Sequence, residues 1–129
     1  MHALVIDDDS RLRQVLVRLL RLGGFASVDQ AGDGQEALQA LSRQPADLIV
    51  TDFQMPRMDG LALVRHLRSA GDQTPIIMIS GHGQPQQIVA AIKAGVNNYL
   101  PKPINPEVLF EKISQTLGLA NITPPSQAV

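Results

Sequence analysis

The chain has 129 residues, of which 44% are hydrophobic and 18% charged, a balance typical of one globular domain with its own core. The formal net charge is −1, which argues against binding nucleic acid or a membrane surface through bulk charge. The absence of cysteine excludes a disulfide framework, a thiolate metal site and a cysteine nucleophile. Because there is no apolar run long enough to span a bilayer and no signal-peptide pattern, we expect a soluble cytoplasmic protein.

Short apolar runs and amphipathic segments alternate along the chain. The apolar runs predict five strands, at residues 3–6, 25–30, 47–51, 76–79 and 97–100. After each strand, apolar residues recur at three- and four-residue steps, which predicts five helices. The fourth and fifth helices are expected to begin at Pro85 and Pro106, since proline suits a first helical turn.

Helix ends and buried faces can also be predicted. Asp9 or Ser10 is a candidate cap for the first helix, and Asp33 for the second. The apolar face of the first helix is predicted to hold five residues, Leu12, Val15, Leu16, Leu19 and Leu20. In the fourth helix the residues expected to face the core are Ile88, Ala91 and Ile92.

The alternation of strands and helices predicts an α/β fold, a doubly wound five-stranded parallel sheet with helices on both faces. Right-handed crossovers leave few topologies, and the flavodoxin-like strand order 2-1-3-4-5 is the natural one. We expect one domain over residues 1–118, followed by a flexible tail or the start of a linker at 119–129, where Pro124-Pro125 stands.

Charged and polar residues follow four of the predicted strands. Asp7, Asp8 and Asp9 follow the first strand, and the third, fourth and fifth strands are followed by Asp52, Ser80 and Lys102. Ligands of doubly wound sheets bind outside the carboxyl ends of the strands, so these side chains are expected to converge. Read singly, Asp9 could be a plain helix cap and Asp52 a plain loop acid.

Clustered carboxylates repel one another unless a cation lies among them. Oxygen ligands without histidine or cysteine suit a hard divalent ion, Mg²⁺ or Mn²⁺. A carboxylate, a divalent ion, a hydroxyl and a lysine together can carry out phosphoryl transfer. The central carboxylate would then be the nucleophile and form an aspartyl phosphate.

The sequence resembles the receiver domain of bacterial response regulators. Four segments over residues 2 to about 118 carry the resemblance: Val5-Ile6-Asp7-Asp8-Asp9, the loop Thr51-Asp52-Phe53-Gln54-Met55-Pro56-Arg57-Met58-Asp59-Gly60, Ile79-Ser80-Gly81 and Tyr99-Leu100-Pro101-Lys102-Pro103. The resemblance implies a signalling switch that promotes its own phosphorylation and dephosphorylation, and not a classical enzyme. Asn97-Asn98 stand where the winged-helix transcription factors of the family often carry acids, so the chain looks more like a stand-alone chemotaxis-type regulator.

The resemblance also implies a role for each matched residue. Asp52 would accept a phosphoryl group from a sensor-kinase phosphohistidine, from a phosphotransfer protein or from a small phosphodonor. Asp8, Asp52 and the backbone carbonyl of Gln54 would bind Mg²⁺ directly, and Asp7 through water. Ser80 and Lys102 would contact the phosphoryl oxygens. The Lys102–Pro103 peptide bond would be cis. Gln54 and His82 are candidates for tuning the hydrolysis rate of the phosphoryl group.

Tyr99 takes the position of the family's aromatic switch. Phosphorylation adds negative charge that draws Ser80 and Lys102 inward, and Tyr99 would fill the space that Ser80 leaves. The face of helix four, strand five and helix five would then change and present itself to an output protein or domain. No direct contact with nucleic acid or membrane is implied.

Four alternatives stay open. A haloacid-dehalogenase-type phosphohydrolase could use Asp7 and Asp9, but this interpretation leaves Asp52 unexplained. Such an enzyme also needs a later acidic pair, and Glu107 and Glu111 are the only acids after Ser80 in this chain. A flavodoxin-like cofactor binder would need a phosphate-binding loop where this chain is acidic. The chain could also be a receiver that only docks without phosphorylation, or a receiver fragment of a larger regulator or hybrid kinase.

Overall fold

A computed structural model describes residues 1–81 and 84–119. Strands and helices alternate strictly along this part of the chain. The strands are β1 His2–Ile6, β2 Ser27–Ala31, β3 Leu48–Asp52, β4 Ile76–Ser80 and β5 Asn98–Pro101. The helices are α1 Ser10–Leu22, α2 Gly34–Arg43, α3 Gly60–Ser69, α4 Pro85–Ala94 and α5 Pro106–Leu117. His82 and residues 120–129 lie outside the described residues, so neither the role of His82 nor most of the expected tail can be compared with the structure.

The five strands form one parallel sheet in the order β2-β1-β3-β4-β5, which confirms the predicted topology. In the centre of the sheet Ile6 pairs with Thr51, and Asp52 pairs with Ile79. This register aligns the carboxyl ends of β1, β3 and β4 along one edge. β1, β3 and β4 are buried along their whole length, as expected of parallel strands covered on both faces.

Two hydrophobic cores lie on opposite faces of the sheet. Alternate residues of β1 point to opposite faces, so Ala3 and Val5 join one core while Leu4 and Ile6 join the other. α1 and α5 cover the first core, with Leu20 and Phe110 almost fully buried. The second core lies beneath α2, α3 and α4 and contains Ala37, Leu63 and Ala91 among its buried residues.

Side-chain caps begin four of the five helices. The Asp9 carboxylate accepts hydrogen bonds from the backbone N–H groups of Arg11 and Leu12, so Asp9, rather than Ser10, caps α1. Asp33, Asp59 and Asn105 cap α2, α3 and α5 in the same way. Pro85 begins α4 without a side-chain cap.

The structure corrects two predicted buried residues. Val15 is 50% exposed and Ile92 is 61% exposed, although the apolar spacing placed both on inward faces. In α1 the buried stripe is centred on Leu16 and Leu20 and continues to Val17, which leaves Val15 beyond its other margin. In α4 only Ala91 is fully buried, and Ile88 is partly buried, so this helix buries a narrower face than its apolar spacing predicts.

Every strand differs by one or two residues from its predicted bounds, and two of these differences have a physical reason. β2 begins at Ser27 and not at Phe25. Phe25 lies before the strand and is buried in the core that α1 and α5 cover. β5 continues to Pro101, which pairs with Ser80. β5 lies at the edge of the sheet, where a proline without an N–H group is tolerated. No helix in the described part of the chain is both long and apolar enough to cross a membrane.

Candidate functional site

The carboxyl ends of β1 and β3 bring three acidic side chains together. Asp7, Asp8 and Asp52 each offer a carboxylate oxygen, and these oxygens lie within 4.8 Å of one another. Asp7 is 1% exposed and Asp52 is 7% exposed, whereas Asp8 is open to solvent. The predicted convergence of the strand ends therefore exists for these three residues, while Asp9 turns away to cap α1.

Backbone hydrogen bonds hold the two buried carboxylates in place. Asp7 Oδ1 accepts a hydrogen bond from the N–H of Asp9 at 2.8 Å, and Asp52 Oδ1 accepts one from the N–H of Phe53 at 2.8 Å. Arg13 donates from Nη1 to the carbonyl oxygen of Asp7 at 2.6 Å, which ties α1 to the end of β1. In both residues the second oxygen, Oδ2, lies near the Lys102 ammonium.

Lys102 supplies a positive charge from the end of β5. Its Nζ lies 3.2 Å from Asp52 Oδ2 and 3.7 Å from Asp7 Oδ2. Burial alone would lower the pKa of the Lys102 ammonium, but the Asp52 and Asp7 carboxylates outweigh burial and the pKa is raised. Lys102 is held by its own backbone, which donates to the Ser80 carbonyl oxygen, and the Lys102–Pro103 peptide bond is cis.

A cavity of about 180 Å³ opens beside Asp52. Ser80, Gln54 and Lys102 line it, as the sequence predicted for a shared site, and so does Gln87 from the first turns of α4. The Ser80 hydroxyl lies 3.4 Å from Gln87 Oε1. Sequence reasoning did not single out Gln87, because its contact depends on how α4 packs and no motif marks it.

Tyr99 lies on β5, partly buried against the core beneath α2, α3 and α4. Its hydroxyl oxygen is buried and has no hydrogen-bond partner among the described residues. The ring therefore lies inward in this structure. An unpaired buried hydroxyl is an unfavourable arrangement that a second ring position could relieve.

The acidic cluster fits a hard divalent cation. Burial first, and the nearby Asp52 charge as well, raise the pKa of Asp7 to about 6, although the hydrogen bond from Asp9 opposes the shift. Asp7 Oδ2 is buried without a hydrogen-bond partner among the described residues. Lys102 brings one positive charge to three carboxylates, so the cluster keeps excess negative charge that an Mg²⁺-type ion with oxygen ligands would neutralise.

The doubly wound sheet and the acidic cluster at its carboxyl edge define a class of α/β domains with a candidate cation site. Comparison with known proteins narrows that class. The family model of the response regulator receiver domain matches residues 3–114. The chain therefore belongs to the response regulator receiver domain family.

Individual relatives agree with this assignment. The chain is 42% identical to the response regulator MprA of Mycobacterium leprae over 117 residues, which cover 91% of this chain and 51% of that protein. It is 40% identical to the chemotaxis protein CheY1 of Helicobacter pylori over 121 residues, which cover 92% of this chain and 98% of that protein. The chain thus spans about half the length of one relative and nearly all of the other.

Solved structures share the fold. The receiver domain of NtrX from Brucella abortus matches with a TM-score of 0.84 and 29% sequence identity, over 92% of this chain and 99% of that chain. The chain is accordingly a receiver domain of two-component signalling. The alternatives of a haloacid-dehalogenase-type phosphohydrolase and a cofactor binder with the same topology are not favoured.

Proposed function

We propose that Asp52 is the phosphoryl acceptor of this receiver domain and that the donor is a phosphohistidine on a sensor histidine kinase or a phosphotransfer protein. One observation carries the proposal: the buried Asp52 carboxylate lies 3.2 Å from Lys102 Nζ, at the wall of a cavity shared with Ser80. A carboxylate oxygen of Asp52 would form a bond to phosphorus while the phosphorus–nitrogen bond of the donor breaks. The imidazole leaves with that electron pair and takes up a proton from water.

Asp8, Asp52 and the Gln54 carbonyl would hold Mg²⁺, with Asp7 acting through a bound water. The negative excess of the cluster supports this role, as does the buried Asp7 Oδ2, which has no hydrogen-bond partner among the described residues. When bound, the ion would neutralise charge on the incoming phosphoryl oxygens. Mn²⁺ has the same ligand preferences and would serve in its place.

Ser80 and Lys102 would contact the transferred phosphoryl group. A hydroxyl and an ammonium that line one cavity offer a neutral and a charged hydrogen-bond donor to phosphoryl oxygens. Gln54 also lines this cavity, and we assign it, with His82, to tuning the lifetime of the aspartyl phosphate. Gln54→Ala and His82→Ala variants should each change the rate of phosphate release; unchanged lifetimes in both would remove this assignment.

The output of the switch is assigned to the face formed by α4, β5 and α5. Drawing Ser80 towards the phosphoryl group would lengthen its 3.4 Å contact with Gln87 on α4 and alter the packing of Tyr99 on β5. An output protein or domain would recognise the altered face. We propose that residues 1–118 act as the receiver and that 119–129 form a tail or the start of a linker. The phosphoryl transfer would take place in the cytoplasm, where a kinase phosphorylated by ATP would meet the domain.

The test is intact mass after incubation with Mg²⁺ and a small phosphodonor such as acetyl phosphate. One added phosphoryl group is expected on the parent protein, and none on Asp52→Asn or in the presence of a chelator. Asp9→Asn is the matched control, because Asp9 is adjacent to the cluster and asparagine also caps helices. The control should be phosphorylated like the parent.

A phosphoryl group that persists on Asp52→Asn would refute the assignment of Asp52 and direct attention to Asp7. A folded parent that gains no phosphoryl group, even when sampled within seconds, would instead support a receiver that only docks. Phosphorylation that is equal with and without chelator would contradict the cation site.

A further inference from the structure

We propose that Arg57 is a positioning residue of the phosphoryl site, which acts by tying the β3–α3 loop to the buried Asp33 carboxylate at the start of α2. The β3–α3 loop comprises residues 53–59, between β3 and α3. The inference rests on the proposed function, because it concerns the loop that would supply the Gln54 carbonyl to the cation. Neither Arg57 nor Asp33 lines the cavity beside Asp52.

The side-chain contact is specific. Arg57 Nε donates a hydrogen bond to Asp33 Oδ2 at 2.6 Å, and Arg57 Nη2 forms an ion pair with the same oxygen. The Asp33 side chain is fully buried, whereas that of Arg57 is 60% exposed. Asp33 Oδ1 is occupied by the N–H of Glu36, so Arg57 supplies the positive charge for a carboxylate that has no access to solvent. These contacts hold the pKa of Asp33 below its usual range, the Glu36 hydrogen bond contributing most.

The backbone of Arg57 adopts a conformation that favours glycine, so an arginine at this position needs a compensating contact. Arg57 has a φ of 64°, and it is the only non-glycine residue with a positive φ in the described part of the chain. Glycine adopts this conformation readily, whereas a residue with a Cβ atom is strained there by about 1 kcal/mol or more. The ion pair with Asp33 offsets that strain and explains how an arginine can occupy the position.

A backbone contact joins the same two segments. The N–H of Gly34 donates to the carbonyl oxygen of Met58 at 3.0 Å. A Cβ atom at Gly34 would lie 2.6 Å from Met58 Cγ, so glycine is needed for this close approach. The start of α2 and the end of the β3–α3 loop therefore touch through both a side-chain and a main-chain contact.

The loop connects this contact to the site. It begins directly after Asp52, and its other end is held where the N–H of Gly60 donates to the Phe53 carbonyl oxygen. Gln54 lies between Phe53, which this hydrogen bond holds, and Arg57, which Asp33 holds. Freeing Arg57 would let residues 54–57 adopt more conformations, and the Gln54 carbonyl would spend less time directed towards the cation. Cation affinity should fall, while Asp52 itself stays in place.

The test uses Arg57→Gly, which removes the side chain and also the backbone strain of a positive φ, so the variant should fold. Mg²⁺ affinity is measured directly by titration calorimetry and, separately, as the Mg²⁺ concentration that gives half-maximal phosphorylation by acetyl phosphate. Both should weaken roughly 10-fold, as is typical when a residue that orients a metal ligand is lost. The phosphorylation rate at saturating Mg²⁺ should change less than about 2-fold.

Two further variants separate positioning from general stability. Arg57→Lys keeps a charge near Asp33 and should restore part of the affinity. Asp33→Asn keeps the α2 cap but weakens the ion pair, so adding Arg57→Gly to it should weaken Mg²⁺ binding far less than Arg57→Gly does alone. Arg65→Ala, an exposed arginine of α3, is the matched control and should bind Mg²⁺ like the parent.

Unchanged Mg²⁺ affinity in a folded Arg57→Gly protein would overturn the proposal, as would equal losses in Arg57→Gly and Arg65→Ala. Failure of the proposed function looks different. In that case the parent itself would show no Mg²⁺-dependent phosphorylation, or Asp52→Asn would still be phosphorylated.

Discussion

The buried Asp7 carboxyl group is expected to destabilise the fold when no cation is bound. Its pKa in the folded protein is about 6, above the ordinary value of 3.8. Ionisation is therefore harder in the folded than in the unfolded state, so the cost is absent below about pH 4 and complete above about pH 6.

Replacing Asp7 with asparagine should remove this cost. In Mg²⁺-free buffer at pH 8, Asp7→Asn should raise the free energy of unfolding by about 1–3 kcal/mol, and the gain should shrink as the pH falls towards 4. Urea denaturation at both pH values measures the effect. Asp9→Asn should leave stability nearly unchanged. Equal stability of Asp7→Asn and the parent at pH 8 would show that the burial of Asp7 is not costly.

The Tyr99 hydroxyl is buried without a hydrogen-bond partner among the described residues. Tyr99→Phe removes that group and keeps the ring, so we expect the free energy of unfolding to stay equal or rise by up to about 1 kcal/mol. Tyr99→Ala removes the ring as well and should destabilise the protein. A loss of more than about 1 kcal/mol in Tyr99→Phe, measured by urea denaturation, would mean that the hydroxyl does have a partner.

The β3–α3 loop depends on Gly60, the first residue of α3, which directly follows it. A Cβ atom on Gly60 would lie 2.0 Å from the Asp52 carbonyl oxygen, and backbone cannot give way as a flexible side chain can. Gly60→Ala should therefore cost about 1–3 kcal/mol of stability and should also slow phosphorylation, because it displaces the backbone of Asp52. In the control Gly32→Ala, the new Cβ would meet the Glu36 carboxylate at 3.4 Å and Arg13 Nη1 at 3.8 Å, both at the ends of flexible side chains. Comparable stability of the two variants in urea would contradict this account.

At the scale of the whole molecule, the charge of the acidic cluster predicts that Mg²⁺ stabilises the fold. Binding to the folded state alone contributes about 2.7 kcal/mol when the free ion is at 100 times its Kd. For a domain of this size the melting temperature should rise by roughly 10 °C. Thermal unfolding with MgCl₂ and with NaCl at equal ionic strength measures the difference. Asp8→Asn should lose most of the shift, and a full shift in that variant would place the ion elsewhere.

Much of the architecture was predictable because local patterns agree with it. Alternating apolar runs and amphipathic segments predicted all five strands and all five helices. Right-handed crossovers left few topologies, and the observed strand order is the common doubly wound one that was expected among them. The errors lie where packing decides burial. Val15 and Ile92 have the right spacing to be inward, yet the helix orientation on the sheet leaves them exposed. The early end predicted for β5 ignored that proline is tolerated at a sheet edge.

The chemical groups at the strand ends could be deduced from the amino-acid sequence, because a parallel α/β topology directs those ends to one edge. Asp7, Asp8, Asp52, Ser80 and Lys102 could be brought together on that ground alone. The environment of these groups, in contrast, depends on how the strands and helices pack. The raised pKa of Asp7, the contact of Gln87 with Ser80 and the pairing of Arg57 with Asp33 arise from residues far apart in the chain. Burial and long-range contacts have no local pattern, so they become visible only when the elements are packed.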